Sequence, residues 1–488
     1  MLRILKKSLT FDDVLLVPSY SNLCLKDINI KTKLTRKIDI NIPIVSAAMD
    51  TVTESNLAIA IAKEGGIGFI HKNMSVEDQV KEILKVKRYK NGIIYQPKCV
   101  FPEDTIEKIV ELTKKNGFSG YPVVSKNKKL VGIITKRDVK FAKDRNRKVF
   151  EVMTKKEKLI TVYKNEKRNK ILEKMQENKV EKILVINQDF CLIGMITAKD
   201  LKNFKEKQNS CKDQKGRLRV GAAISAEIET KRISFLISSG VDAILIDSSH
   251  AHTKKILKNI EDIKKKYPNL QIIAGNIATK SAAISLLNVG VDAVKVGIGP
   301  GSICTTRIIT GVGIPQITAI SDVAEALKGK NLPIIADGGI RYSGDIAKAI
   351  AAGSDCVMLG YLLAGTKESP GKLEFFQGKY FKSYRGMGSI GAISKGYSNR
   401  YSIKESREKR IIPEGIEGKV SYKGNLSEII FQHVGGLKSS MMLTGCKNIQ
   451  ELKTKSEFIH VSSSGKRENH VHNVTITKEP PNYPIYKK

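Results

Sequence analysis

Residues 240–247 read GVDAILID, and close copies of this stretch recur as GVDAVKVG at 290–297 and as GSDCVMLG at 353–360. In each copy a glycine precedes a short apolar run. A glycine commonly ends a helix, and a β-branched apolar run of this length is typical of a buried strand. Each copy therefore predicts a helix end followed by a strand of a parallel sheet that is covered on both faces.

Outward from these copies, the chain shows eight short apolar runs, each followed by a loop and a helical pattern. We predict strands at 43–49, 66–70, 218–223, 243–247, 272–276, 293–297, 334–337 and 356–359. Eight strands that alternate with helices are the pattern of a (β/α)8 TIM barrel in the α/β class. The sequence therefore predicts a discontinuous barrel domain formed by residues 1–90 and 206–488.

The segment 91–205 interrupts the barrel pattern and contains its own repeat, VGIITKRD at 131–138 and IGMITAKD at 193–200. A helical stretch and then a strand precede each copy: 105–116 and 121–125 in the first, 168–178 and 182–186 in the second. Two copies of one small α/β unit predict a paired module, with halves at about 91–148 and 149–205, that buries a shared face.

The composition, 41% hydrophobic with 38 glycines, is typical of a soluble α/β enzyme. No apolar run approaches the ~18 residues of a membrane span, and the N-terminus does not resemble a secretory signal. The 7 scattered cysteines lack metal-type spacing and indicate reduced thiols. These features predict a cytoplasmic protein without membrane contact.

The net charge of +35 suggests nucleic-acid binding as an alternative function. However, the lysines are spread over the whole chain, and no stripe of basic and aromatic residues accompanies them. Weak non-specific binding at low salt is expected from the charge alone. We therefore predict no dedicated nucleic-acid site.

One loop combines glycines with reactive side chains. Residues 297–307, GIGPGSICTTR, begin at the end of the sixth predicted strand. The glycines and the proline force an irregular loop, and glycine lets a ligand approach the main chain closely. Cys304 lies there among hydroxyls and an arginine, which suits a nucleophile held against a polar substrate. The local sequence leaves open the alternative of a small buried cysteine on an anion-binding loop.

The carboxyl ends of the other strands, where barrel enzymes place function, are also polar. The fourth strand ends in DSSH at 247–250, the fifth in GN at 275–276, the seventh in DGGIR at 337–341 and the eighth in GY at 360–361. An aspartate before two glycines accepts hydrogen bonds from a ribose diol and leaves amides free for phosphate. Glycine-led amides after the last two strands match the phosphate site of barrel enzymes.

Together and in this order, these motifs resemble the inosine monophosphate dehydrogenase family. The resemblance covers almost the whole chain and includes YRGMG at 384–388 and a late flap at about 389–423. The inserted repeat resembles a tandem CBS pair, or Bateman domain. The resemblance implies oxidation of inosine 5′-monophosphate (IMP) to xanthosine 5′-monophosphate (XMP) with NAD, the committed step of guanine nucleotide synthesis.

The resemblance also implies roles for individual residues. Cys304 would attack C2 of the purine, and water would later hydrolyse the thioimidate. Arg400, beside Tyr401 on the flap, resembles the family's base for water, although arginine is a poor base on pKa grounds. Thr306 with Glu414 resembles an auxiliary route for activating water.

The implied ligand contacts form two sets. The IMP contacts are Ser302, Asp337, Gly338, Gly339, Gly360, Tyr361, Tyr384, Arg385, Gly386, Met387, Gly388 and Glu414. The NAD contacts are Asp247, Ser248, Ser249, Asn276, Gly297, Ile298 and Gly299.

A monovalent cation, K⁺, is implied as a second cofactor. Its ligands would be the backbone carbonyls of Gly299, Gly301 and Cys304. In the family, a neighbouring subunit's tail (here 462–488, expected to be extended) adds carbonyls, which correspond to Glu468, Asn469 and His470. A shared site requires a homo-oligomer, and the resemblance implies a homotetramer, or an octamer when CBS pairs associate.

Some points remain open in the sequence. In CBS domains a helix-start aspartate contacts adenine or guanine nucleotides, but Asp138 and Asp200 alternatively only cap helices. Asn399 and Asn469 replace the acidic residue and the serine that the family often has, which leaves flap closure and cation affinity open. Guanosine monophosphate reductase shares the cysteine loop; the insertion and the Arg400-Tyr401 pair argue against it. A non-catalytic nucleotide-binding regulator is the remaining alternative.

Overall fold

The computed structural model describes residues 3–89, 93–95, 97–116, 119–125, 127, 129–141, 144–163, 166, 168–198, 209–227, 229–395 and 412–483. The chain divides into two compact units. The first, which we call the barrel unit, comprises Met1–Lys87 and Lys207–Lys488. The second, which we call the inserted unit, comprises Arg88–Glu206. None of the helices within the described residues is long and apolar enough to span a membrane.

The barrel unit is a closed barrel of eight parallel strands, so the predicted fold class is confirmed. The strands are β1 Ile44–Ser46, β2 Ile67–Ile70, β3 Val220–Ile224, β4 Ala243–Asp247, β5 Gln271–Ile277, β6 Ala293–Val296, β7 Ile334–Asp337 and β8 Cys356–Leu359. Each strand pairs in parallel with the next one in the chain, and β8 closes the barrel against β1. All eight predicted strands therefore form, with shifts of a few residues at their ends.

A helix follows each strand on the outside of the barrel. These helices are α1 Ser55–Glu64, α2 Val76–Arg88, α3 Thr230–Ser238, α4 Lys254–Lys266, α5 Lys280–Asn288, α6 Gln316–Ala326, α7 Ser343–Ala351 and α8 Leu426–Leu443. In α4, Ile256, Ile260 and Ile263 share one buried face because their spacing matches the helical period. Helix α8 packs against α7 and α1 and so completes the outer ring.

The aspartate of each sequence repeat has the same structural role. Its Oδ2 accepts a hydrogen bond of 2.8 Å from the N–H of the first or second residue of the preceding strand. The three pairs are Asp242 with Val220, Asp292 with Ile272, and Asp355 with Ile334. Each aspartate also forms an ion pair with a lysine: Lys87, Lys264 and Lys453, respectively. The repeated aspartates therefore hold the amino ends of neighbouring strands together.

Two segments outside the predicted barrel strands contain regular elements. Lys379–Arg385 pairs antiparallel with Leu373–Phe376 and Glu417–Ser421. The alternation of this strand is hidden because a lysine, Lys382, occupies a buried position, where its Nζ donates to the carbonyl of Thr366 at 3.1 Å. The C-terminal tail is not extended throughout, since Ser463–Glu468 is a helix.

The remaining elements of the barrel unit are short. Val14–Leu16 pairs with Phe458–His460, and Thr32–Lys33 pairs with Asp39–Ile40. Besides Ser463–Glu468, the short helices among the described residues are Thr306–Thr310, Tyr361–Ala364, Ile390–Ile393 and Ile449–Lys455. Phe11–Asp13 and Leu25–Asp27 are 3₁₀ turns.

The described residues of the inserted unit form two sheets. One has the order Thr161–Tyr163, Lys182–Ile186, Leu192–Thr197, Ile93–Tyr95, and the other comprises Tyr121–Val124, Leu130–Ile134 and Thr154–Lys155. The helices among these described residues are Ile106–Asn116, Lys136–Phe141, Val149–Val152 and Arg168–Glu177, with a 3₁₀ turn at Lys156–Lys158. The first strand of each half, Ile93–Tyr95 or Thr154–Lys155, belongs to the sheet of the other half. Leu130, Leu184, Ile186 and Met195 form a buried cluster drawn from both halves.

Candidate active site

A cleft lies at the carboxyl ends of the barrel strands and brings together most of the residues that the sequence singled out. These residues are Asp247, Ser249, Asn276, Gly297, Ile298, Gly299, Gly301, Ser302, Cys304, Thr306, Asp337, Gly338, Gly339, Gly360, Tyr361, Tyr384, Gly386, Met387, Gly388 and Glu414. The carboxyl ends of parallel strands meet at one end of a barrel, so residues far apart in sequence converge there.

Other predicted site residues lie elsewhere. Ser248 is buried beside the cleft, where its hydroxyl accepts the N–H of His250 at 3.3 Å. Glu468, Asn469 and His470 are exposed at the end of the Ser463–Glu468 helix and do not line this chain's cleft. Arg400 and Tyr401, as well as Asn399 and Asp200, lie outside the described residues.

The side chain of Arg385 is held by Asp50 rather than placed in the cleft lining. Its Nε lies 3.1 and 3.2 Å from the two carboxylate oxygens of Asp50, and Nη2 donates to Oδ2 at 2.5 Å. Burial would raise the pKa of Asp50, but the hydrogen bonds from Arg385 and Asn73 outweigh it and hold this pKa below its usual range. This ion pair fixes the start of the segment 386–388 against the loop after β1.

The cysteine loop follows β6 and is shaped by a glycine and an arginine. Gly297 has φ +145°, and a Cβ there would clash with the carbonyl of Asp337, so only glycine fits. Arg307 donates from Nε to the carbonyl of Ile298 at 2.9 Å and from Nη2 to that of Ile314 at 2.6 Å. Arg307 therefore holds the cysteine loop in place through these two backbone carbonyls.

Cys304 heads a short chain of polar contacts. Its Sγ lies 3.1 Å from Oγ1 of Thr306, and this hydroxyl donates to Oε2 of Glu414 at 2.8 Å. The backbone keeps Glu414 close, since the N–H of Thr305 donates to its carbonyl at 3.0 Å. A thiol, a hydroxyl and a carboxylate in line can pass a proton between sulfur and carboxylate.

A buried lysine that the sequence did not single out connects the polar strand ends. Lys295 of β6 donates from Nζ to Oδ2 of Asp337 at 2.6 Å and to Oδ1 of Asp247 at 3.2 Å, and it also contacts Oδ1 of Asn276. The amide of Asn276 donates to the same Oδ2 of Asp337 at 3.0 Å. The signal in the sequence was a lone lysine within an otherwise apolar strand.

Tyr384 forms part of the wall of the same cleft. Burial raises the pKa of its hydroxyl well above the usual range, with smaller contributions from Asp337 and Cys304. Its hydroxyl lies 3.9 Å from Sδ of Met49, and its ring lies 6.4 Å from that of Tyr361. Tyr384 therefore stays a neutral phenol that can donate a hydrogen bond.

In the inserted unit, Asp138 of the first repeat copy (131–138) caps the start of a helix. Asp138 accepts at Oδ2 the backbone N–H of Thr135 at 2.7 Å and the Thr135 hydroxyl at 2.8 Å. This geometry satisfies a backbone donor at the start of the Lys136–Phe141 helix. The capping alternative for Asp138 therefore has direct support.

Comparisons with known proteins agree over the length of the chain. The family model described as IMP dehydrogenase / GMP reductase domain matches residues 8–472. Relatives named inosine-5′-monophosphate dehydrogenase include those of Yersinia pestis, 58% identical over 99% of both chains, and Escherichia coli (strain K12), 57% identical over 99% of both. The protein of that name from Aquifex aeolicus is 49% identical over 98% of both chains.

A solved structure shares the fold. It is a cysteine-to-alanine variant of GMP reductase from Trypanosoma brucei in complex with guanosine 5′-monophosphate, with a TM-score of 0.81 and 36% identity. The match covers 96% of this chain and 99% of that chain. The match of the family model and the identity of the full-length relatives show that this chain belongs to the IMP dehydrogenase / GMP reductase family.

Proposed function

We propose that this protein oxidises IMP to XMP with NAD as hydride acceptor, through a covalent adduct on Cys304. The observation that carries the proposal is the line from Cys304 through Thr306 to Glu414, in one cleft with Asp337 and its two glycines. The identity with IMP dehydrogenases over nearly the full length supports the same substrate and reaction.

The reaction begins when the thiolate of Cys304 adds to C2 of the purine, which makes C2 tetrahedral and electron-rich. The hydride then leaves C2 for the nicotinamide, and this is the redox chemistry that NAD supplies when bound. A thioimidate now links the nucleotide to Cys304. Water adds at C2, the sulfur leaves, and XMP and a proton are released.

Thr306 and Glu414 handle protons on both sides of this sequence. The hydroxyl of Thr306 lies between sulfur and carboxylate, so it can relay the thiol proton when the thiolate forms. The same pair can accept a proton from the attacking water. Arg400 and Tyr401 supply the main base and its neighbour on the flap, an assignment that rests on the sequence resemblance.

IMP occupies the side of the cleft formed by the loops after β7 and β8. Asp337 accepts hydrogen bonds from the ribose hydroxyls. The phosphate binds the backbone amides of Gly338, Gly339, Gly360 and Tyr361. Ser302, Tyr384, Glu414 and the backbone of 385–388 contact the rest of the nucleotide. The lining of the cleft supports this assignment, because all of these residues except Arg385 belong to it.

NAD occupies the side formed by the loops after β4, β5 and β6. The residues that would hold it are Asp247, Ser248, Ser249, Asn276, Gly297, Ile298 and Gly299. They fit the dinucleotide because a carboxylate, hydroxyls and an amide are combined with glycines that let a ligand reach the backbone. Held there, the nicotinamide would accept the hydride that leaves C2 of the purine.

K⁺ binds the carbonyls of Gly299, Gly301 and Cys304 in our proposal. The donor set is made of oxygens on an irregular loop, which suits a hard cation. Glu468, Asn469 and His470 do not line this chain's own cleft, as expected if they serve a neighbouring subunit. We therefore infer a homo-oligomer. The family resemblance favours a homotetramer, and the scattered cysteines favour the cytoplasm.

The inserted unit is proposed to be a tandem CBS pair that binds adenine or guanine nucleotides. Its two halves exchange strands and share a buried cluster, which supports one paired module. A nucleotide that used Asp138 would have to share its carboxylate with Thr135.

The inserted unit does not distinguish a dehydrogenase from a reductase. The GMP reductase structure covers 96% of this chain, and the remaining share is too small to contain Arg88–Glu206. The insertion therefore does not exclude a reductase, contrary to the prediction from the sequence. The identity with dehydrogenases and the Arg400-Tyr401 pair remain in favour of IMP oxidation.

The test is to measure NADH formation from IMP and NAD by absorbance, with and without K⁺. We expect a K⁺-stimulated signal that Cys304→Ala abolishes and that the control Cys191→Ala, on the inserted unit, retains. Consumption of NADPH with guanosine monophosphate instead would establish the reductase. Inactivity in both assays would leave a nucleotide-binding regulator.

A further inference from the structure

Lys295 occupies a position at which the barrel repeat otherwise places an apolar side chain. The three copies of the repeat hold Leu245, Lys295 and Met358 in the same register. Leu245 and Met358 belong to the barrel core, with exposures of 0% and 2%, and Lys295 is equally buried at 1%. Because burying an ammonium group costs free energy unless it is paired, the fold alone favours leucine or methionine here.

The partners of Lys295 come from three different strands. Asp247 ends β4, Asn276 lies near the end of β5, and Asp337 ends β7. Their three oxygens match the three donors of an ammonium group, at 3.2 Å for Asp247 and 2.6 Å for Asp337. Asn276 is fixed further, since its amide also donates to the carbonyl of Gly297 at 2.6 Å.

These partners belong to both halves of the cleft. The proposed function, on which this inference rests, assigns Asp337 to the ribose of IMP and Asp247 and Asn276 to NAD. We propose that Lys295 is a positioning residue that sets the carboxylates of Asp337 and Asp247 in one arrangement and thereby prepares the IMP and NAD sites together. One buried cation then serves two ligands, although it need not contact either of them.

The physical reason lies in the charges. Without Lys295, Asp247 and Asp337 would lose the cation that they share, and their mutual repulsion would displace one of them or favour its protonated form. A displaced or protonated Asp337 accepts hydrogen bonds from a ribose diol less well. A displacement of Asp247 or Asn276 would disturb the NAD side in the same way.

The decisive variant is Lys295→Met, which places at this position the residue that the third repeat carries. The matched control is Lys87→Met. Lys87 is also buried, at 3%, and donates to Asp242 at 2.5 Å and to Asp213 at 3.2 Å, at the amino ends of the strands. Both variants remove a buried lysine from two carboxylates, but only one of them affects the cleft.

We expect Lys295→Met to raise the KM for IMP and the KM for NAD by about tenfold or more each, and to lower kcat. Misplaced binding groups have effects of this order and up to ~100-fold. Lys295→Arg, which keeps the charge, should recover part of both KM values. Lys87→Met should keep both KM values, even where its melting temperature falls as much as that of Lys295→Met.

Three results would overturn the proposal: both KM values of Lys295→Met within twofold of wild type, a rise in only one of them, or an equal rise in Lys87→Met. If Lys295→Met does not fold, the same three criteria are applied to the KM values of Lys295→Gln. A wild-type protein that forms no NADH from IMP overturns the proposed function and this inference with it. That outcome is distinct, because it does not depend on any variant.

Discussion

The barrel unit and the inserted unit are both built from internal repeats, but they bury different side chains. Among its described residues, the inserted unit buries only apolar and aromatic side chains, such as those around Val123 and Ile134. The barrel unit buries charged groups as well, including Lys87, Lys295 and Asp247. Since unpaired buried charges are unfavourable, each of these groups is paired, and their positions mark the two ends of the barrel.

The difference shows how to interpret polar residues in a repeat. At the amino ends of the barrel strands, the polar residues recur in every copy and bind backbone N–H groups. At the carboxyl ends, the copies differ, and the side chains that differ line the cleft. A residue that differs between the copies therefore indicates the functional site better than a polar residue that recurs in all of them.

The largest expected effect tests the proton route in the cleft. Thr306→Val keeps the shape of the side chain but removes the hydroxyl between Cys304 and Glu414. We expect kcat for IMP oxidation to fall by about 100-fold or more, the usual scale for loss of a proton-transfer group. Steady-state NADH formation measures this change.

The control for that experiment is Thr310→Val on the same short helix. The hydroxyl of Thr310 donates to the carbonyl of Thr306 at 2.7 Å, and the residue is exposed. We expect kcat to stay within a factor of two of wild type. Equal losses in both variants would show that the helix, and not the hydroxyl of Thr306, matters.

A second pair of variants compares the two cores. Ile134→Ala in the inserted unit and Ile273→Ala in the barrel each truncate a side chain with 0% exposure. Each should lower the free energy of unfolding of its own unit by about 2–5 kcal/mol. Hydrogen–deuterium exchange, resolved along the chain, should show faster exchange in the mutated unit. Faster exchange in the other unit would show that the two units do not unfold independently.

A third experiment uses pH to test the paired charges of the barrel. Burial opposes the shift, but the N–H of Arg217 and the charge of Lys87 lower the pKa of Asp213 to about 2, from 3.8. A lowered pKa stabilises the folded state above pH 3.8, and that stabilisation is lost as the pH falls towards 2. Asp213→Asn should therefore flatten the fall in unfolding free energy between pH 4 and pH 2.

The inserted unit provides the control for the pH experiment. Glu151 also has a lowered pKa, because the side chain of Arg147 and the N–H of Lys148 donate to it, but the pair is exposed. Solvent screens such pairs, so Glu151→Gln should leave the pH dependence nearly unchanged. A flattening as large as that in Asp213→Asn would contradict the distinction between the two units.

The smallest expected effect concerns Asp138. Asp138→Ala removes the acceptor for the N–H of Thr135 and should destabilise the inserted unit by about 1 kcal/mol. Asp104→Ala is the matched control, since Asp104 accepts the N–H of Phe101 at 2.8 Å in the same half. Loss of ATP or GTP binding in the Asp138 variant alone would support a nucleotide contact. Equal binding in both variants would leave capping as its role.

The sequence predicted the eight barrel strands and the placement of Cys304 because both depend on local signals. Apolar runs, glycines and strand ends are visible within a few residues of one another. The sequence did not predict the strand Lys379–Arg385, because buried Lys382 breaks the apolar alternation. Nor did it predict that Asp50 would hold Arg385, since the two residues lie 335 positions apart.

The sequence by itself therefore determined the barrel, the repeat in the insertion, and the strand ends that carry polar groups. Only the tertiary structure decided which of these groups meet. Lys295 contacts Asp247 and Asp337, which lie 48 and 42 positions away, because β4, β6 and β7 of a closed barrel converge towards one end. The ion network depends on this closure, which brings the charges together in a space shielded from water, and no local pattern of residues encodes that proximity.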